Sequence, residues 1–302
     1  MRQPLAKVGA QPTGEEHWAQ KGDVRLYLWR KRLAPAQGPT PLVLVHGSSL
    51  SALPSYDLQV PGHPDYSMMD WFARQGYDVW TLDHEGYGRS TVTERNADIA
   101  CGVEDLRVAV RLIRQVTRAR QVALYGLSSG SLRVGAYAGA EPDAVSHLVL
   151  DAFVYTGAGS PTLAKRKEGL EFFRTHSRRP IDRDFIMGIF TRDKPGTTEA
   201  AVAVAVADAQ LVYGDSVPTG TYLDMTQNLP LVDPRAIRSP TLIVRGEHDG
   251  IASMEDLLEF FRLLPVSDKQ IAVLPGLAHS SQLGVHRHRM WRSVHAFLRR
   301  DD

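Results

Sequence analysis

A serine with glycine two positions away on either side is the clearest indication of chemistry in this sequence. The pentapeptide Gly126-Leu127-Ser128-Ser129-Gly130 directly follows the apolar run QVALY and precedes a stretch that can form a helix. A serine on such a sharp strand-to-helix turn exposes its hydroxyl, and the small flanking residues let neighbouring segments approach closely. The spacing therefore predicts that Ser128 is the nucleophile of an acyl-transfer reaction.

Two neighbouring serines, Ser129 and Ser131, compete with Ser128 for this role. Only Ser128 has glycine at the second position on both sides. We therefore expect Ser129 to contribute its backbone N–H, which the start of the following helix directs toward the oxyanion that forms on attack.

A serine hydroxyl needs a base, and the chain has eleven histidines to supply one. We predict His279, because it lies in the glycine-containing loop LPGLAHS directly after the run QIAVL. Three other histidines follow apolar runs and are interpreted as groups that line the pocket or support loops: His46, His84 and His248.

The acid that orients the histidine has two serious candidates, Asp249 after the run TLIV and Asp151 after HLVL. Both satisfy the chain order serine, acid, histidine. Glycines at positions 246 and 250 give the Asp249 loop more freedom to turn its carboxylate under the imidazole, so Asp249 is favoured, with Glu247 well behind.

The second oxyanion donor is expected in the loop after the run PLVLV, which reads His46-Gly47-Ser48-Ser49. Gly47 permits a tight turn, and the N–H of Ser48 completes a pair of donors with Ser129. Further side chains are predicted to contact the substrate: Ser49, Tyr56, Glu85, Asp151 and Tyr222.

The elements that position these residues follow an α/β pattern. Short apolar runs, typical of buried parallel strands, alternate with amphipathic stretches. The predicted strands are residues 41–45, 77–82, 121–125, 147–150, 241–244 and 270–274, the predicted helices are residues 99–116, 131–140, 254–264 and 286–300, and a hairpin is predicted at residues 15–33.

The predicted strands fall into two groups, one before residue 155 and one after residue 230. The residues between them, 155–230, show no comparable strand and contain helical stretches at residues 163–176 and 198–210. We predict a helical lid there, inserted into a core domain of residues 1–154 and 231–302. Open parallel sheets bind ligands beyond the carboxyl ends of their strands, where all the residues above fall. Aromatic residues of the lid are candidates for its own core or for an apolar pocket: Phe172, Phe173, Phe185, Phe190, Tyr213 and Tyr222.

The composition favours a small-molecule enzyme. With 35 basic and 34 acidic residues among 302, the chain has no strong field for nucleic acid or an anionic membrane. No apolar run suits a secretory signal or a membrane span, so a cytoplasmic location is the default expectation. The lone Cys101 is interpreted as a structural thiol. No metal-ligand spacing or phosphate-binding glycine loop is present, so no cofactor is predicted.

Taken in order, the segments HGSS, DHEGYGRS, GLSSG, GEHD and GLAHS resemble the α/β-hydrolase superfamily, from about Pro41 to the C-terminus. The resemblance implies an eight-stranded, mostly parallel sheet, a helical lid between the sixth and seventh strands, a Ser-Asp-His triad, and hydrolysis without a cofactor.

Two positions depart from the superfamily's usual pattern. Glu85 stands where arginine is common, and it either braces its loop or binds a cationic or hydroxylated substrate. The strand-to-helix turn reads Ser-Ser-Gly-Ser from Ser128 onward, which argues against the lipase-like and meta-cleavage branches of the superfamily. A serine as nucleophile also disfavours the haloalkane dehalogenases.

We therefore predict a serine hydrolase that cleaves a carboxylic ester or lactone of a small molecule. Three alternatives stay open: a carbon–carbon bond hydrolase acting on a vinylogous diketone, a non-catalytic small-molecule receptor on the same fold, and cofactor-free perhydrolase or transferase chemistry.

Overall fold

The structure is a computed structural model that describes residues 11–33 and 40–299. The first ten residues, on which part of the expectation about a secretory signal depends, lie outside this part, as does Arg300 at the end of the predicted last helix. Ten strands follow in chain order: β1 (Thr13–Lys21), β2 (Val24–Arg32), β3 (Leu42–Val45), β4 (Val79–Leu82), β5 (Val122–Leu127), β6 (Val145–Asp151), β7 (Arg178–Pro180), β8 (Ser216–Pro218), β9 (Thr241–Gly246) and β10 (Lys269–Leu274).

Helices connect and cover these strands. They are α1 (Ala52–Tyr56), α2 (Met68–Arg74), α3 (Ile99–Thr117), α4 (Ser129–Ala140), α5 (Pro161–Arg166), α6 (Leu170–Thr175), α7 (Arg183–Ile189), α8 (Ala200–Leu211), α9 (Gly220–Leu223), α10 (Met254–Leu263) and α11 (Arg287–Leu298). In the described ranges no helix combines the length and the apolar character that crossing a membrane requires.

Eight strands form one sheet in the order β1-β2-β4-β3-β5-β6-β9-β10. The pairs β1/β2 and β2/β4 are antiparallel and the other neighbours are parallel. The predicted mostly parallel, eight-stranded sheet is therefore confirmed. Every residue of β3, β4 and β5 is buried, which explains why these strands appear in the sequence as unbroken apolar runs.

The first two strands form the predicted hairpin. Lys21 pairs with Val24, so Gly22 and Asp23 form the turn, and Gly22 adopts a φ of 55° that a glycine tolerates without strain. The hairpin lies at one edge of the sheet and extends it beyond β4.

The segment between β6 and β9 carries helices α5 to α9 and its own hydrophobic cluster. That cluster also takes in side chains from the loops after β3 and β4, such as Leu50, Leu58 and Tyr87. The insertion therefore packs on the loops at the carboxyl end of the sheet. Whether it opens and closes as a lid stays a prediction.

Two details of the insertion differ from the sequence-based expectations. The predicted helix over residues 163–176 is divided into α5 and α6 by a 3-10 turn at Lys167–Gly169. Strands β7 and β8 pair as a two-stranded ribbon that we did not predict. Strands of three residues are too short for an alternating pattern to be visible in a sequence.

Candidate active site

Ser128 occupies the turn between β5 and α4 with φ 57° and ψ −121°, a conformation that non-glycine residues rarely adopt. A Cβ on Gly126 would lie 2.4 Å from the Gly130 oxygen, and one on Gly130 would lie 2.2 Å from the Val45 oxygen. Both positions therefore require glycine. The strain at Ser128 is of the kind that concentrates at functional sites.

The two competing serines have structural contacts. The Ser131 hydroxyl lies 2.7 Å from each of the backbone oxygens of Gly126 and Asp151, to which it can donate its one proton. The Ser129 hydroxyl accepts a bond from Ser48 at 2.8 Å. These contacts separate both residues in role from Ser128, which is 7% exposed.

His279 and Asp249 form a buried hydrogen-bonded pair. His279 Nδ1 lies 2.9 Å from Asp249 Oδ1, and the backbone N–H of Ile251 also donates to Oδ1 at 3.0 Å. Burial raises the pKa of Asp249, but the contacts with His279 and Ile251 outweigh it and hold the pKa below its usual value. An ionised Asp249 favours the tautomer with the proton on Nδ1, which leaves Nε2 to accept another proton.

Asp151, the other candidate for the acid, connects the serine turn to the histidine loop. Its backbone oxygen accepts the Ser128 N–H at 2.9 Å, and its carboxylate accepts bonds from the hydroxyls of Ser281 and Tyr125. Burial raises the pKa of Asp151 to about 7, despite these hydroxyl donors. In the structure it is Asp249, and not Asp151, that bonds to His279.

The loop after β3 lies against the serine turn. A Cβ on Gly47 would approach the Ser128 Cβ to 3.3 Å, which is tighter than most contacts. A chain of hydroxyls runs from the insertion into this loop: Thr221 donates to Ser48 at 2.8 Å, and Ser48 donates to Ser129 at 2.8 Å. These bonds fix the loop that carries the predicted Ser48 donor against the start of α4.

Of the predicted substrate contacts, Ser49 and Tyr222 lie together beside this loop, their hydroxyl oxygens 2.7 Å apart. Tyr56 lies elsewhere: it is fully buried, its hydroxyl donates to the Val45 oxygen at 2.7 Å, and its ring packs on Tyr125. Asp151 lies behind the serine turn in the contacts given above. Among the aromatic residues of the insertion, Phe173, Phe190 and Tyr222 belong to its buried cluster.

Glu85 lies in a network of charges at the edge of the sheet. Its carboxylate is fully buried and pairs with Lys21 at 2.8 Å and Arg95 at 2.6 Å. Lys21 also contacts Asp105 on α3. Burial raises the pKa of the half-buried Cys101 nearby to about 12, so its thiol stays protonated. These contacts account for Glu85 as a brace between the hairpin, its own loop and α3.

His46 and His84 support loops. His46 Nδ1 donates to the Gly47 oxygen at 2.8 Å, and Nε2 accepts the His84 N–H at 3.2 Å. Burial lowers the pKa of His84 to about 4, and it lowers that of His46 well below the usual value. Both rings are therefore neutral at physiological pH, and the bond from the His84 backbone N–H to Nε2 requires this of the His46 ring.

Sequence reasoning missed four charged residues of the insertion near this site. Asp193 brings a carboxylate oxygen within 4.8 Å of the ligating atoms of Asp249 and His279. The other three are Arg166, Arg179 and Arg192. None of the four belongs to a recognisable motif. The sequence did show several arginines in this segment, but only its aromatic residues were considered as pocket candidates.

Comparisons with known proteins agree with this fold. The family model described as "Serine aminopeptidase, S33" matches residues 66–283. Among curated proteins none matches the chain significantly.

Solved structures share the fold over nearly the whole chain. An esterase from Exiguobacterium antarcticum has a TM-score of 0.71 at 16% identity, covering 94% of this chain and 99% of the esterase. A thermophilic esterase from Thermogutta terrifontis, malate bound, has a TM-score of 0.68 at 19% identity, covering 95% and 98%. An E-2-(acetamidomethylene)succinate hydrolase has a TM-score of 0.68 at 20% identity, covering 95% and 99%. At these identities the likeness shows the fold alone. The family model covers most of the chain, and this chain therefore belongs to the S33 serine aminopeptidase family of α/β-hydrolases.

Proposed function

We propose that this protein hydrolyses a carboxylic ester or lactone of a small molecule through an acyl-enzyme on Ser128. The observation that carries the proposal is the buried Asp249–His279 hydrogen bond of 2.9 Å, on a loop that Asp151 links to the strand-to-helix turn where Ser128 is held at a φ of 57°. A serine, a base and an oriented acid are the parts that nucleophilic acyl transfer needs.

In the first half of the reaction, the Ser128 hydroxyl attacks the ester carbonyl while His279 Nε2 takes its proton. Asp249 holds the ring through Nδ1 and stabilises the imidazolium that forms. The pKa of Asp249 lies below its usual value, which keeps the carboxylate ionised throughout this step.

The tetrahedral intermediate carries a negative charge on the former carbonyl oxygen. We assign its stabilisation to the backbone N–H groups of Ser129 and Ser48, the first at the start of α4 and the second on the loop that Thr221 fixes. Losing one such donor typically costs roughly 3 kcal/mol of transition-state stabilisation.

The intermediate then collapses: the ester C–O bond breaks, the imidazolium gives its proton to the departing alkoxide, and the acyl-enzyme remains. In the second half, a water molecule attacks the acyl-enzyme carbonyl with His279 again as base, and the bond to Ser128 Oγ breaks. The acid product leaves and Ser128 regains its proton. The insertion contributes Thr221 and Tyr222 to the surroundings of this site, which supports its interpretation as a cap over the substrate.

The test is hydrolysis of 4-nitrophenyl butyrate by the wild type, Ser128→Ala and His279→Ala, with Ser293→Ala as the control. Ser293 is half-buried on α11, and its hydroxyl donates to the backbone oxygen of Arg289 in the same helix, so we expect this variant to keep full activity. We expect both site variants to lose activity by about 10⁴-fold or more, since triad members act as a unit.

If the wild-type protein hydrolyses no activated ester, the proposal is contradicted and the interpretation as a non-catalytic receptor is favoured. Faster cleavage of a vinylogous diketone than of any ester, abolished by Ser128→Ala, would favour carbon–carbon bond hydrolysis instead.

A further inference from the structure

Two arginines of the insertion, Arg166 and Arg179, flank the ring of Tyr222. Their guanidinium carbons lie 5.0 and 4.9 Å from the ring centre. Within residues 11–33 and 40–299, neither guanidinium has a carboxylate oxygen within 4.0 Å, and Arg166 makes its polar contact from Nη1 to the Met225 sulfur at 3.4 Å. Two positive charges therefore share one aromatic ring without a negative side chain to offset them.

This pair of charges lies close to the proposed reaction centre. The Tyr222 hydroxyl is 2.7 Å from the hydroxyl of Ser49, and Ser49 follows Ser48 on the loop that carries the second proposed oxyanion donor. Thr221, which precedes Tyr222, bonds to Ser48. The same short stretch of α9 thus contacts both the arginines and the oxyanion loop.

A third arginine, Arg192, extends the positive charge toward the Asp249–His279 pair. Unlike the other two, it has a counter-charge, since its Nε lies 3.4 Å from Asp193 Oδ2. The charge of Arg192 lowers the pKa of both Asp249 and Arg166. Burial is the largest single influence on each: it opposes the downward shift of Asp249 and adds to that of Arg166. Three arginines and two carboxylates therefore share one electrostatic environment.

Arg166 and Arg179 are both half-buried, and a partly desolvated guanidinium without a counter-charge is stabilised when an anion approaches it. Burial, with the nearby charges of Arg192 and Arg179, lowers the pKa of Arg166 to about 10, so the side chain still carries its charge at neutral pH. The planar guanidinium fork matches the geometry of a carboxylate and binds it with charge-assisted hydrogen bonds.

We infer that this site takes an ester whose acyl or alcohol part carries a free carboxylate, bound by Arg166 and Arg179 while Ser128 attacks the ester carbonyl. The inference rests on the proposed ester hydrolysis and adds the charge of the substrate to it. The same two charges repel an ammonium group, so the site disfavours a peptide with a free amino terminus.

The test compares two chromogenic esters of equal chain length: 4-nitrophenyl hydrogen adipate, which has a free carboxylate, and 4-nitrophenyl hexanoate, which is neutral. We expect the wild type to prefer the adipate ester in kcat/KM. Arg166→Gln and Arg179→Gln should each lower the adipate-to-hexanoate ratio roughly 10- to 100-fold, the value of a hydrogen bond between charged groups.

Arg174→Gln is the matched control, because Arg174 is an exposed arginine of the same insertion that pairs with Glu171. This variant should leave the ratio unchanged. A ratio that is the same in the wild type, Arg166→Gln and Arg179→Gln would overturn the inference, and the hexanoate rate shows in each case whether the variant is folded and active.

A binding measurement separates this inference from the proposed function. Calorimetry with adipate on the Ser128→Ala protein needs no turnover, and we expect binding that weakens about 10-fold or more when Arg166→Gln is added. Absence of adipate binding, or tighter binding of inorganic phosphate than of adipate, would contradict the carboxylate assignment. If neither ester is cleaved, the proposed function fails and the adipate titration alone decides whether the anion site exists.

Discussion

At the scale of single residues, the carboxylates of Asp249 and Asp151 have different surroundings. Asp249 bonds to the His279 ring, whereas the side chain of Asp151 bonds to the Ser281 and Tyr125 hydroxyls. Their pKa values shift in opposite directions, downward for Asp249 and up to about 7 for Asp151. Divergent pKa values of neighbouring carboxyl groups are a means of giving each a separate role.

This difference predicts unequal losses of activity. Asp249→Asn should lower kcat by about 10³- to 10⁴-fold, because the amide favours the wrong histidine tautomer. Asp151→Asn keeps an acceptor for the two hydroxyls and should lower kcat by no more than about 10-fold, the effect of a slightly displaced histidine loop. Steady-state kinetics of both variants on one 4-nitrophenyl ester measures the two losses. A larger loss for Asp151→Asn than for Asp249→Asn would make Asp151 the orienting acid.

Asp151 also predicts a pH dependence of stability. Its pKa is raised from 3.8 to about 7 on folding, so the folded state holds a proton that the unfolded state releases. The contribution of this group to the free energy of unfolding is greatest below about pH 4 and falls as the pH rises to about 7. Urea unfolding across this range should show Asp151→Asn gaining stability relative to the wild type as the pH rises. A difference between the two proteins that stays constant from pH 4 to pH 8 would contradict the assignment.

At the scale of elements, the turn between β5 and α4 depends on close backbone contacts. Gly130→Ala places a methyl group 2.2 Å from the Val45 oxygen, and backbone cannot move aside cheaply. We expect a loss of at least about 2 kcal/mol in the free energy of unfolding, together with most of the activity.

Gly188→Ala is the control for that substitution. Gly188 lies within helix α7, and a Cβ there meets no heavy atom within 4 Å. This variant should be neutral or more stable by roughly 0.5–1 kcal/mol, because alanine is the better helix former. Thermal unfolding measures the stability of Gly130→Ala and Gly188→Ala. Equal stabilities would contradict the claim that a methyl group at position 130 clashes with the backbone of the turn.

The elements around this turn could be predicted from sequence because each has a local cause. The runs PLVLV and QVALY form β3 and β5. Ser128, Asp249 and His279 could be predicted as a triad because each lies in a loop or turn just after a predicted strand. The divided helix at Lys167–Gly169 and the three-residue strands β7 and β8 have no such local pattern. Their conformations depend on tertiary contacts that a single sequence does not display.

At the scale of the whole molecule, the insertion and the core meet at the loop after β3, which carries the proposed oxyanion donor, through Thr221 and Ser48. The arginines beside Tyr222 come from α5 and from β7, elements separated along the chain. Their approach to the Tyr222 ring on α9 results from the packing of these elements of the insertion against one another. For this reason the sequence led to a proposal for the chemistry of the site but not for the charge of its surroundings.

This connection predicts that the insertion affects the rate of catalysis. Thr221→Val removes the hydroxyl that donates to Ser48 and should lower kcat about 3- to 10-fold with little change in KM, because the oxyanion loop loses one contact that fixes it. Thr175→Val, at an exposed position on α6, is the control and should have no effect. A change confined to KM would indicate that Thr221 contacts the substrate rather than positions the loop.

The most direct measurement is covalent trapping of the nucleophile. The protein is treated with a fluorophosphonate, digested, and analysed by mass spectrometry. We predict a single modification, on Ser128, that is prevented by Ser128→Ala and much slowed by His279→Ala. No modification of the wild type, or modification of Ser129 or Ser131 in place of Ser128, would contradict the acyl-enzyme mechanism.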